Sequence, residues 1–309
     1  MAAIFLAVTG QVATLFMLMG VGFALRKKQK LSEGTLSQMT FLLLYVVTPF
    51  LIVDAMQIPR SGETVRMMGY TLLGGVIFFA FAILMSRFFF RKSPPDTRDV
   101  LRFGSIYTNS GFMGLPLVRA VLGDGAVLYA AVFLVVMALI HWTHGAKLMD
   151  KSGKIPLKSA LFNPGTIGFL AGTLLFALDF RLPSPVANAT GFIASLNTPV
   201  AMIIIGAQMA DAELPKLFRV RELYVAAALK LVAFPVVTAL LILPMRFPPL
   251  IYCAVVILAA TPSAGVTSMF AQRFERDTVT AARCVSFVTL LSVATLPVFA
   301  SVAQVVAGL

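Results

Sequence analysis

Apolar residues run along this chain in long blocks, with short polar segments between them. A helix of about 20 apolar residues covers the hydrocarbon core of a bilayer, and the blocks match that length. They predict membrane spans over residues 3–25, 36–57, 67–89, 101–121, 125–146, 161–180, 189–210, 222–243, 249–271 and 278–306. The expected fold class is therefore an all-α polytopic membrane protein with ten transmembrane helices.

Two of the blocks are interrupted alike. Asn109-Ser110-Gly111-Phe112-Met113-Gly114-Leu115-Pro116 breaks the fourth, and Thr261-Pro262-Ser263-Ala264-Gly265-Val266-Thr267 breaks the ninth. In hydrocarbon every backbone polar group needs a partner, so a break is tolerated only where it packs on protein or lines a cavity. Matched Gly/Pro-broken helices in two halves of a chain point to the substrate site of a secondary transporter. The halves also echo each other elsewhere. Thr48-Pro49 lies within the second span and Thr198-Pro199 within the seventh, and Asn109 precedes Asp124 by the same interval that separates Pro262 from Asp277. Five spans per half is an odd number, so the second copy enters the membrane from the opposite side. The expected organisation is a 5+5 inverted repeat: residues 1–146, a short cytoplasmic linker at 147–160, and residues 161–309.

Composition agrees with a membrane protein. The chain is 59% hydrophobic and 12% charged, against roughly 25% charged in soluble domains. The net charge of +12 would suggest nucleic acid in a soluble protein, but its distribution explains it otherwise. Of the 25 Lys and Arg residues, 19 fall in odd-numbered loops, five in even-numbered loops, and Lys230 inside a span. Basic loops stay on the cytoplasmic side, which places both termini outside, as for a multi-pass protein of a bacterial inner membrane. Arg26-Lys27-Lys28 follows the first block instead of preceding it, so that block reads as a first membrane helix and not a cleavable signal. Cys253 and Cys284 both lie in apolar blocks. With no metal cluster, nucleotide-binding loop or nucleophile–base pair, no cofactor and no enzymatic activity are expected.

The candidate site gathers around the two breaks. Half-helix N-termini carry free N–H groups and partial positive charge, which suit an anion. The candidate substrate contacts are Asn109, Ser110, Gly111 and Gly114 at the first break, Thr261, Ser263 and Gly265 at the second, and Thr48, Asn197 and Thr198 on the facing spans. Pro116, Pro262, Pro49 and Pro199 shape the crossover. The competing reading is packing, since small residues and proline are common in membrane helices. Asn109 and Asn197 either recognise substrate or bond to backbone freed by the prolines. Lys230 lies deep in the eighth span, and burying such a charge costs roughly 2.5–3.5 kcal/mol on insertion scales. It is either a partner for a substrate carboxylate or gate, or a snorkelling side chain paired with an acid at the cytoplasmic face. His141 and His144 flank Trp142, a pattern of an interfacial anchor, with a proton relay as the alternative. Gly168 and Gly172 predict close helix packing or a subunit contact. No carboxylate sits at mid-span, where proton-coupled pumps usually keep one.

With these residues in view, the chain resembles the auxin efflux carrier family, which includes plant auxin exporters and bacterial transporters, some assigned to malonate or malate. The matching strings are NSGFMGLPLVRAVLG at Asn109–Gly123 and ATPSAGVTSMFAQRFERD at Ala260–Asp277, followed by TLPVF at Thr295–Phe299. The resemblance implies a scaffold of spans one, two, six and seven, a moving unit of the other spans, and a homodimer through spans two and seven. It also implies a substrate site where spans four and nine cross, with Asn109 as the crossover asparagine and Asn197 as a polar contact from span seven. The long cytoplasmic loop of the plant exporters is replaced by the Lys147–Lys158 linker. The function expected is alternating-access transport of a small mono- or dicarboxylate, exported by the membrane potential. The alternatives are a sodium- or proton-coupled organic-anion symporter of the bile-acid type, and a non-transporting membrane receptor of the same fold.

Overall fold

The structure, a computed structural model, describes residues 2–151, 164–211 and 217–308. Among these residues it is helical throughout, apart from one isolated antiparallel bridge. The helices are α1 (Ala2–Lys27), α2 (Glu33–Ala55), α3 (Gly62–Ser86), α4 (Pro95–Ile106), α5 (Ser110–Leu122), α6 (Asp124–Met149), α7 (Pro164–Ala177), α8 (Ser184–Asp211), α9 (Arg221–Met245), α10 (Pro249–Ala260), α11 (Val266–Arg273) and α12 (Thr278–Ala307). Seven of them, α1, α2, α3, α6, α8, α9 and α12, are long and apolar enough to cross a membrane. Helices α5, α7 and α10 are shorter and apolar. Of the expected linker at 147–160, residues 152–160 lie outside the described residues, and residues 147–149 belong to α6, which runs to Met149.

Local chemistry sets several boundaries. Ser32, Ser61 and Asp277 each accept a hydrogen bond from the backbone N–H three residues on, which caps α2, α3 and α12. Three of the internal prolines are handled by a common device, whereas Pro297 lies within the uninterrupted helix α12. Proline lacks an N–H, and its ring crowds the carbonyl four residues back. Before Pro49, Pro116 and Pro235 the helix widens to a π-turn, over Leu43–Val47, Ser110–Gly114 and Leu229–Ala233. The residue preceding each proline then bonds five residues back, Thr48 to Leu43, Leu115 to Ser110 and Phe234 to Leu229. At Pro199 the solution differs, because α8 is interrupted by a single turn residue, Leu196.

The helices can be followed in two groups, which meet where α1 lies against α12. In the first, α1 lies against α8 and α2 against α7. A Cβ on Gly22 would stand 2.0 Å from the Ile203 carbonyl oxygen, and one on Gly206 would stand 1.9 Å from that of Met19. The two backbones therefore touch, which only glycine permits. Gly168 and Gly172 likewise face Pro49 and Met56 of α2, so both predicted packing glycines make their contact within the chain. In the second group α3, α4, α6, α9, α10 and α12 pack on one another. Ten consecutive residues of α10, Ile251–Ala260, are buried, as are Val127–Val136 of α6. At the basic end, Arg276 ties α4, α6 and the α11–α12 turn together, bonding Asp96 at 2.5 Å, Asp99 at 3.5 Å and the Met149 carbonyl at 2.7 Å.

Candidate functional site

Helices α4 and α10 both stop inside the second group, and the chain continues from each as an extended segment. The two segments cross. Thr108 and Ser263 form the antiparallel bridge, in which the Asn109 N–H donates to the Pro262 carbonyl at 2.7 Å and the Ala264 N–H to the Tyr107 carbonyl at 3.0 Å. Each break thus satisfies the backbone of the other, which answers the demand that hydrocarbon makes on an unwound helix.

The break itself sits earlier than the Gly/Pro pattern predicts. Its non-helical residues are Tyr107–Asn109, while Ser110–Gly114 are already the wide first turn of α5. Pro116 follows that wide turn, which accommodates its missing N–H. The second break agrees better with expectation, with non-helical backbone from Thr261 to Gly265.

Side chains complete the crossing asymmetrically. The carbonyls at the end of α4 and α10 lack intrahelical partners. Ser263 Oγ donates to the Gly104 carbonyl at 2.7 Å, and Thr261 Oγ1 to that of Leu258 at 2.7 Å. Ser110 Oγ, paired with the Thr108 hydroxyl, reaches the Leu258 carbonyl at 3.4 Å. Gly114 lets α5 approach α10, since a Cβ there would meet Leu258 at 2.7 Å and Thr261 at 3.1 Å. Gly111 and Gly265 are under no such constraint. Thr48 spends its hydroxyl on the Leu43 carbonyl at 2.8 Å.

Lys230 does not reach toward the cytoplasmic face. It is wholly buried, which rules out snorkelling. Its Nζ donates to the Ala259 carbonyl at 2.8 Å and lies 5.2 Å from the centre of the Phe78 ring. A cation at the carbonyl end of a half-helix meets the negative pole of its dipole, so Lys230 serves as a cap for α10. His141 is buried against Phe270, and Trp142 packs on Phe270 with the Arg273 guanidinium 5.5 Å from its ring. His144 Nδ1 lies 3.0 Å from the hydroxyl of Tyr107, the first residue of the break.

What the crossing leaves free is polar and sign-selective. The first intrahelical bonds of α5 come from Met113 and Gly114, both to Asn109, so the N–H groups of Ser110, Gly111 and Phe112 have no intrahelical acceptor. The N-terminus of α11 lies at the same crossing. Asn197 Nδ2 donates to the Gly111 carbonyl at 3.1 Å, joining α8 to α5. Its Oδ1 and the Nδ2 of Asn109 are buried without a partner. A cleft of about 340 Å³ opens beside Asn197. It is lined by Asn197, Thr198 and Ser195 of α8, Pro116 and Arg119 of α5, and Gln11 of α1, among others. Gln11 and Arg119 escaped the sequence reading because neither belongs to a broken segment's Gly/Pro core. Only the packing of α1 and α5 brings them to one wall.

Seven membrane-capable helices and a crossing of two broken ones define a polytopic helical membrane protein of transporter type. A family profile described as "Membrane transport protein" matches residues 7–156 and again 151–300. The chain belongs to that family, the auxin efflux carriers. It is also similar to an uncharacterized transporter of Methanothermobacter thermautotrophicus, at 24% identity over 307 residues, covering 97% of this chain and 99% of the relative.

Proposed function

We propose that this protein is a secondary transporter that carries a small organic anion, a mono- or dicarboxylate, through the membrane by alternating access at the crossing of α4–α5 with α10–α11. The observation that carries the reading is the pair of unpartnered buried amide atoms, Asn109 Nδ2 and Asn197 Oδ1, beside the unsatisfied N–H groups that open α5. Leaving such groups unpaired costs about 1–3 kcal/mol each; a bound carboxylate would remove that cost by accepting from the Asn109 amide and from the N–H groups of α5, while the Asn197 oxygen would take its donor from water.

In this reading α4–α5 and α10–α11 are each one broken span, which brings the total to ten in a 5+5 inverted repeat with both termini outside. Support comes from the 19-to-5 distribution of basic residues and from the family match in two successive stretches. The group containing α1, α2, α7 and α8 is the scaffold, and the group carrying the crossing moves against it. Backbone contact at Gly22 and Gly206 suits a scaffold that stays rigid.

The membrane potential drives export, since an inside-negative potential favours anion exit by about 2.3 kcal/mol per charge per 100 mV. The test imposes potassium–valinomycin potentials on proteoliposomes preloaded with labelled malonate, succinate or acetate, at fixed pH and without sodium. Efflux should accelerate when the interior is negative and slow when it is positive. Efflux that ignores the sign of the potential would reject this drive and favour electroneutral coupling to sodium or protons. Absence of saturable flux would favour a receptor.

A further inference from the structure

Arg119 is the one cation among the residues lining the cleft. It stands on the same helix as the N–H groups that open α5, eight residues beyond Gly111, or about 12 Å along the axis. Leu115, Pro116 and Ala120 share its wall, and Asn197, Thr198 and Ser195 stand on the α8 side. Its Nε is held 3.0 Å from Asp124 Oδ1, across the Gly123 turn. That partner is a weak one, because the Asp124 side chain is 89% exposed and that of Arg119 48% exposed. Exposed ion pairs contribute roughly 0–1 kcal/mol, so an anion in the cleft competes for the guanidinium on easy terms. The other carboxylate within reach of its field is Asp54 of α2.

We propose that Arg119 is a specificity-determining residue that takes one carboxylate of the substrate by exchanging it for Asp124, while the crossing takes another. The inference rests on the transport reading above and adds to it a preference for a dianion over a monoanion of the same skeleton. Asp124 parks the guanidinium at the rim when the cleft is empty. An arriving carboxylate replaces it, and the bidentate geometry of Arg with a carboxylate selects for planar acids over other anions.

The experiment measures uptake by proteoliposomes of the full chain, with labelled malonate, succinate and glutarate and their monomethyl esters. In the wild type the diacids should show a lower KM than their esters. Arg119→Gln should raise KM for the diacid at least about tenfold, as expected for loss of a hydrogen bond to a charged group, and leave the ester nearly unchanged. Arg119→Lys should restore part of the difference. Asp124→Asn should shift KM the other way, because it removes the competitor, and a merely structural pair would give the same sign in both variants. Unchanged KM values in Arg119→Gln with normal wild-type uptake would overturn this inference alone. A wild type that takes up neither acids nor esters would overturn the transport reading and this inference with it. Equal losses in Arg119→Gln and Asp124→Asn would reduce the pair to a structural link and overturn the exchange.

Discussion

Lys230 Nζ and the carbonyl of Ala259 are 2.8 Å apart in a wholly buried place, and this contact closes the end of α10 one turn from the crossing. A buried cation of this kind costs several kcal/mol in desolvation, which a single hydrogen bond and a ring face do not offset. Lys230→Met should therefore leave the melting temperature unchanged or higher, while transport falls because the end of α10 loses its cap. A marked drop in melting temperature would show that the contact outweighs the burial cost.

The two asparagines should separate in the same assay. Asn109 Nδ2 has no protein partner, so Asn109→Leu removes an unsatisfied donor and should depress transport without loss of stability. Asn197 holds the Gly111 carbonyl, so Asn197→Leu should cost about 1–3 kcal/mol of stability as well. Thermal unfolding in detergent beside flux measurements checks both. Equal destabilisation by the two variants would contradict the assigned contacts.

The α1–α8 contact predicts a contrast among glycines. Gly206→Ala and Gly22→Ala push a methyl group into a backbone carbonyl, and overpacking of this kind costs about 1–3 kcal/mol. Gly10 and Gly20 have open space at the Cβ position, so alanine there should be neutral or stabilising through helix propensity. The four melting temperatures should fall into these two pairs.

Asp277 predicts an acid-sensitive link. Its carboxylate accepts from the Thr280 N–H at 2.9 Å, the Thr280 hydroxyl at 2.7 Å and the Thr97 hydroxyl at 2.7 Å. Burial by itself would raise its pKa, but these bonds and the charge of Arg283 outweigh it and hold the carboxyl below its usual range. A depressed folded-state pKa gives stability that is complete above the unfolded value near 4 and is lost as pH falls through the folded value. The melting temperature of the wild type should decline in that acid window, and Asp277→Asn should lack that component of the decline.

The apolar blocks determined by themselves that this is a helical membrane protein, because backbone groups in hydrocarbon leave few other solutions. The paired interruptions located the crossing, since glycine and proline fix local backbone behaviour before any partner is present. Sequence could not decide which residues unwind. Tyr107–Asn109 leave the helix where they pair with Pro262–Ala264, and no pattern within Tyr107-Thr108-Asn109 announces that distant partner. The fate of Lys230 was equally a matter of packing, since its depth was legible but the Ala259 carbonyl that receives it exists only because α10 ends there. Arg119 and Gln11 meet in one cleft for the same reason: local sequence sets helices and their breaks, while the faces those helices share are chosen by contacts between residues far apart in the chain.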